Sequence, residues 1–200
     1  MQPYIVGLSG SPEKNSLTAA TIKYALRGAE AIGAPTKILQ LNEYKLLIAG
    51  SVNESEYPDD IFFLRNELKR ADGIIIGTPE HNNSISGILK NTIDLLGKAP
   101  FENKVVGLIG LAGGATGAMN SLNNLMIICR SLHCWVSPYM VSIASTHKVF
   151  DPQKNISEVK IVKRLFQLGY STAMFACNLK KLNSNLLCNF KKKLPAINTN

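Results

Sequence analysis

Four hydroxyl residues, Ser9, Ser11, Ser16 and Thr18, crowd around Gly10 and Pro12 in the stretch LSGSPEKNSLTAAT. A short apolar run precedes them, and a helical pattern starting at Ser16 or Leu17 follows. The first turn of a helix presents unbonded backbone N–H groups and the positive end of its dipole. Those donors, with the hydroxyls, can hold a phosphate monoester without an arginine. The same residues also suit a plain turn with Ser16 as helix N-cap. No G-x-x-x-x-G-K-[ST] is present and no G-x-G-x-x-G follows the first apolar run, so the usual ATP, GTP and dinucleotide fingerprints are missing. What is left is a serine-rich site for the phosphate of a mononucleotide.

Two further stretches hold groups suited to a ligand. In GTPEHNNSISGILKNTIDLLG, residues 77–97, Pro79, Asn82, Asn83 and Gly87 can turn the backbone sharply. Glu80, His81 and the asparagines there offer donors and acceptors for the edge of a planar heterocycle. His81 taken alone also reads as an exposed loop residue, and Ser86 as a helix cap. In GLAGGATGAMNS, residues 110–121, Gly113 and Gly114 remove side chains where backbone would approach a ligand. A flexible strand-to-helix turn is the other reading of those glycines.

These stretches need elements to place them. Residues 4–8, 36–41, 73–77, 105–111 and 139–143 are strand candidates, and GIIIG and VVGLIGL are apolar enough to be buried on both faces. Helical patterns fill 17–32, 59–70, 88–96 and 117–132, with another after Ser157. Alternation of this kind predicts an α/β domain with a parallel sheet covered on both faces, because parallel strands need crossover connections. In such sheets ligands collect outside the carboxyl ends of the strands. The three candidate stretches follow strands one, three and four.

The chain has 200 residues and is 46% hydrophobic, which fits a single domain over residues 1–176. Its net charge of +8 is uneven: residues 1–150 hold 13 Lys/Arg against 12 Asp/Glu, while 151–200 hold 9 against 2. The main body is therefore not a basic protein, and no nucleic-acid partner is expected. Residues 177–200 read as a basic, flexible tail in which Pro195 breaks any helix; a docking arm for a neighbouring subunit, or a surface for an acidic partner or anionic lipid, are the other readings. Four cysteines show one close pair, C-x4-C with His133 inside it, which suits reduced thiols in the cytoplasm better than a zinc site. No metal site is expected. The N-terminus lacks a signal-peptide pattern and no run approaches membrane-spanning length, so a cytoplasmic protein without a membrane anchor is expected.

The motifs GSPEKNSLT, PEHNNSISGILKNTIDLL and the Gly113–Gly114 loop resemble the NADPH-dependent FMN reductase family of flavodoxin-like proteins, which includes quinone, chromate and azo-dye reductases. The resemblance covers roughly residues 4–143. The second motif is the most specific, the family pattern there being close to P-E-Y-N-x-S-x-P-G-x-L-K-N-A-I-D. The resemblance implies a flavodoxin-like three-layer sandwich around a five-stranded parallel sheet in the order 2-1-3-4-5, with FMN at its carboxyl edge. It assigns the FMN phosphate to Ser9, Ser11, Ser16 and Thr18, with Leu17 beside them among the cofactor-binding residues. The isoalloxazine ring falls to Pro79, Glu80, His81, Asn82 and the backbone of Gly113 and Gly114. This chain departs from the family at Glu13, where Arg is common, at Thr18 (Asn), His81 (Tyr) and Ser86 (Pro).

The implied activity is transfer of hydride from NADPH or NADH to FMN and onward to a small acceptor such as free flavin or quinone, in a homodimer or homotetramer. Such chemistry resides in the flavin, so no catalytic acid or base is expected from the protein. Two other classes fit less well. A flavodoxin-type electron carrier would present an acidic docking face, and a flavin- or nucleotide-sensing module would use the basic tail on an acidic partner.

Overall fold

The apolar runs form five parallel strands in a computed structural model that describes residues 2–190, with side chains through Leu182. The strands are β1 (Ile5–Ser9), β2 (Thr36–Gln40), β3 (Gly73–Pro79), β4 (Val105–Leu111) and β5 (Trp135–Ile143), ordered β2-β1-β3-β4-β5. This is the expected flavodoxin-like order. The chain winds outward from β1 in both directions, and β1 pairs with β3 from Ile5 opposite Gly73 to Ser9 opposite Gly77. Strand order reverses between β1 and β3, so a crevice opens at their carboxyl ends.

Alternate residues of each strand feed two cores. Val6, Leu8, Ile74, Ile76 and Leu108 pack under α2 (Asp59–Arg70), α3 (Gly87–Leu96) and α4 (Met119–Ser131). Ile5, Ile75, Ile109 and Val141 pack under α1 (Leu17–Glu30) and α6 (Val159–Phe190). A short α5 (Thr146–Val149) follows β5. Helices α1 and α6 cross so closely that a Cβ on Gly169 would lie 1.7 Å from the Ala25 carbonyl oxygen. Glycine is required there by contact, not by backbone angle.

Two elements differ from the sequence expectation. Strand β5 begins at Trp135 rather than at residue 139, and its pairing with β4 shifts between Val106 and Leu108. Pro138 looks like a break in sequence, yet β5 is an edge strand, where a missing N–H is tolerated and the irregularity absorbs it. Helix α6 runs through the expected boundary at residue 176 and on to Phe190. Leu179 packs against the core beneath it and Lys180 Nζ pairs with Asp72 at 2.8 Å. Residues 191–200, Pro195 included, lie outside the described residues. No described helix is long and apolar enough to cross a membrane.

Candidate functional site

The loop after β1 is locked to its neighbours before it meets any ligand. Gly10 N donates to the Gly77 carbonyl at 2.8 Å, and a Cβ on Gly10 would meet the Leu89 Cβ at 2.8 Å. Only glycine lets β1 and the start of α3 come this close. Ser86 closes the same junction: its hydroxyl donates to the Gly10 carbonyl and accepts from Leu89 N at 3.3 Å as the N-cap of α3. Ser16 caps α1 by accepting from Ala19 N at 3.2 Å. Ser11 Oγ accepts from Glu13 N at 3.3 Å. The first N–H groups of α1, on Leu17 and Thr18, have no acceptor within the helix. Ser9, at the end of β1, is fully buried and its hydroxyl has no hydrogen-bond partner.

The loop after β3 is a tight hairpin. His81 and Ser84 exchange backbone hydrogen bonds of 2.9 and 3.0 Å, while Asn82 and Asn83 take φ values of 49° and 60°. Two successive left-handed residues define a type I′ turn, a geometry that asparagine tolerates. The turn is tied to α4 by Asn124 Nδ2, which donates to Ser84 Oγ at 3.2 Å. Glu80 is held at both ends. Its N–H donates to the Leu111 carbonyl at 2.7 Å, and its carboxylate accepts from both Ser121 N and Ser121 Oγ at 3.1 Å. Helix α4 has no side-chain cap of its own at Ala118, so Glu80 supplies its first turn with an acceptor and a favourable negative charge.

The loop after β4 leaves room. Nothing comes within 4 Å of a Cβ built on Gly113 or Gly114. The flank is closed by the segment after β5, where Thr146 N donates to the Ala112 carbonyl at 3.2 Å and Ser145 N to the Gly114 carbonyl at 3.0 Å.

Together these loops wall a cavity of about 220 Å³ at the carboxyl edge of the sheet. Of the residues picked from sequence, Ser11, Leu17, Thr18, Pro79, Glu80, His81 and Gly113 line it. Ser9 lies beneath the first loop, Ser16 caps α1 beside it, Asn82 stands at the exposed turn and Gly114 is exposed next to Gly113. Sequence reasoning did not assign Glu13, Leu111, Ala112 or Thr146 to the wall. Thr146 could have been found only by extending the rule of strand carboxyl ends to β5. The arrangement offers hydroxyls and helix N–H groups for an anion at one end, and a slot of backbone and amides for a flat ring at the other.

The thiols stand apart. Cys129 is buried on the inner face of α4, where a hydrogen bond with Cys134 and burial hold its thiol far above the ordinary range, leaving it a poor nucleophile. Among the described residues, no cluster of three or more His, Cys, Asp or Glu side chains could hold a metal ion.

Known proteins share both fold and sequence with this chain. A flavoenzyme NAD(P)H:(acceptor) oxidoreductase from Paracoccus denitrificans superposes with a TM-score of 0.74 at 20% identity, covering 88% of this chain and 98% of that one. An FMN-dependent NADPH-azoreductase of Staphylococcus saprophyticus is 35% identical over 104 residues, 50% of this chain and 55% of the relative. The quinone reductase of Escherichia coli is 31% identical over 96 residues, 48% of this chain and 51% of the relative. The chain thus spans about half the length of these two curated relatives. Residues 3–148, which include every wall of the cavity, match the family described as NADPH-dependent FMN reductase, and the chain belongs to that family.

Proposed function

We propose that the chain is an NAD(P)H-dependent flavin oxidoreductase that holds FMN in this cavity. It takes hydride from NADPH or NADH and delivers the electrons to a small acceptor such as free flavin or quinone. The observation that carries the reading is the unpartnered, fully buried hydroxyl of Ser9 beside the open first turn of α1. A buried hydroxyl without a partner is costly and calls for an acceptor; a phosphate monoester supplies one. Family membership and the azo and quinone reductases among the relatives support the same chemistry.

In this reading Ser9, Ser11, Ser16 and Thr18 hold the phosphate, with the N–H groups of Leu17 and Thr18 as fixed donors. Pro79, Glu80, His81, Asn82 and the Gly113–Gly114 backbone seat the ring. Bound FMN supplies hydride acceptance from a nicotinamide and two-electron transfer to the acceptor. The chain supplies position and polarity. Backbone N–H groups aimed at the ring edge favour the negative charge of the reduced form. Glu80 acts mainly as a strut, since its carboxylate is occupied by Ser121. No side chain needs to act as general acid or base.

Assembly belongs to the same proposal. Trp135, Phe175 and Leu182 are 60%, 42% and 55% exposed around a largely apolar cavity of about 270 Å³ between β5 and α6. A cluster of large exposed apolar side chains marks an interaction surface, and we take it as the interface of a homodimer or homotetramer. Sedimentation at micromolar concentration tests this, and a monomer there rejects it. The compartment that fits is a reducing cytoplasm stocked with nicotinamide nucleotides.

The decisive experiment is anaerobic titration of the FMN-loaded protein with NADPH and then NADH, followed at the flavin absorbance band. Rapid bleaching is expected. Tight FMN binding without bleaching by either nucleotide would favour an electron carrier. Failure to bind FMN would reject the site.

A further inference from the structure

A second concavity, of about 380 Å³, lies on the outer side of α1. Its walls carry four cations, Lys14, Lys23, Arg27 and Lys154, and no carboxylate. Lys23 and Arg27 are one helical turn apart on one face. Lys154 faces them from the turn before α6, in a left-handed conformation with φ of 64°, its N–H donating to the Asp151 carbonyl at 2.8 Å. The Asp151 carboxylate is occupied by Asn155, which donates its N–H at 2.7 Å and its Nδ2 at 3.0 Å. Among the described residues none of the four cations is ion-paired, whereas Lys37, Arg65, Arg70, Lys90, Lys98 and Lys180 each hold a carboxylate.

The concavity also has a flat wall. Tyr24 is half-buried, its hydroxyl accepts from Ile156 N at 3.3 Å, and the Arg27 guanidinium lies 4.9 Å from its ring centre. The guanidinium covers that face of the ring and is held flat by it, so its own outer plane suits a stacked base, and unpaired cations around it suit phosphates. The site adjoins the first cavity through one loop: Glu13 lines that cavity, and Lys14, Asn15 and Ser16 line this one.

We propose that this concavity binds the phosphorylated adenosine end of NADPH, a role that rests on the reductase reading above. A dinucleotide whose nicotinamide lies over the first cavity crosses the Glu13–Ser16 loop to reach it. Four unpaired cations match the pyrophosphate together with a dianionic 2′-phosphate, and exceed what NADH presents. Glu13 lines the first cavity and stays out of this one, whose nearest cations sit one residue further on and along α1.

The test is calorimetric titration of the FMN-loaded protein with 2′,5′-ADP, with 5′-AMP and with inorganic phosphate. Binding of 2′,5′-ADP at least tenfold tighter than 5′-AMP is expected, and it should weaken with salt. Lys23→Ala combined with Arg27→Ala should lower that affinity by roughly tenfold or more and raise the KM for NADPH in step. Lys160→Ala with Lys163→Ala, which removes the same charge from the exposed face of α6, should change neither. Equal affinity for the two nucleotides, binding of phosphate as tight as 2′,5′-ADP, or equal losses in both double variants would overturn the proposal. Flavin bleached by NADPH without any 2′,5′-ADP binding would overturn this site and leave the reductase reading standing. Binding of 2′,5′-ADP that is lost in the α1 variant, without bleaching, would keep the site and reject that reading.

Discussion

The hydroxyl of Ser86 donates to the carbonyl oxygen of Gly10 across 76 residues of sequence and at the same time accepts from Leu89 N at 3.3 Å. One side chain thus caps α3 and pins the loop after β1 to the loop after β3. Ser86→Ala should cost about 1 kcal/mol as a lost N-cap and a further 1–3 kcal/mol, roughly, for a buried carbonyl left without its donor. Urea unfolding gives the loss. FMN and riboflavin should both bind more weakly, because the loops lose their common anchor. A variant as stable as the parent would show that the junction is held elsewhere.

Ser9 offers the opposite case, a hydroxyl that the folded chain does not use. Ser9→Ala removes a buried, unpartnered group, so stability should stay the same or rise by about 1 kcal/mol. FMN affinity should fall by roughly tenfold or more, the worth of a charge-assisted hydrogen bond. Riboflavin, without a phosphate, should bind as before. Ser11→Ala with Ser16→Ala should show the same FMN-specific loss, but with about 1 kcal/mol of stability lost at the α1 cap. Equal losses for FMN and riboflavin in Ser9→Ala would place the phosphate somewhere else.

At the opposite end of the sheet Glu67 is buried, pairs with Lys37 at 2.8 Å and Arg70 at 2.7 Å, and accepts from the Tyr4 hydroxyl at 3.1 Å. The Lys37 hydrogen bond, helped by Tyr4 and Arg70, holds its carboxyl below the ordinary 4.5. A depressed carboxyl contributes stability above its unfolded value and loses it as pH falls through the folded one. Glu67→Gln should therefore cost roughly 1–3 kcal/mol at neutral pH, and its gap from the parent should close below pH 4.5. Burial and the Glu67 hydrogen bond raise Tyr4 from 10.0 to about 12, so the parent should lose stability from pH 10 to 12 and Tyr4→Phe should lose less, keeping only the share of Tyr44, which burial also raises. Unfolding curves across both ranges check the two signs.

Much of this was legible before the structure. The runs of β1, β3 and β4 are apolar at nearly every position because helices cover both faces, and α2 keeps its expected bounds of Asp59–Arg70, with acidic residues in its first turn and basic ones in its last. The pattern starts α4 at Gly117, but that residue takes φ of 74° and the helix begins at Met119. Long-range commitments were not legible. The bonds from Ser121 to the Glu80 carboxylate span 41 residues, and no spacing rule shows that this side chain is a strut. The second concavity joins residues from three parts of the chain, of which only Lys14, Asn15 and Ser16 fall in a motif.

Gly113 gives the cleanest separation of site from scaffold. Nothing lies within 4 Å of a Cβ built there and its backbone is not left-handed, so Gly113→Val should change stability by no more than about 0.5 kcal/mol. The new side chain enters the wall of the cavity, where backbone is proposed to meet the flavin ring. FMN and riboflavin should then both lose roughly tenfold or more in affinity, since the ring is common to them, in contrast to the phosphate-specific loss in Ser9→Ala. Gly10→Ala is the counterpart. Its Cβ would lie 2.8 Å from the Leu89 Cβ and 3.1 Å from the Gly77 carbonyl oxygen, so it should cost about 1–3 kcal/mol of stability as overpacking. Parental affinity for both flavins in a stably folded Gly113→Val would mean that the ring does not lie against this loop.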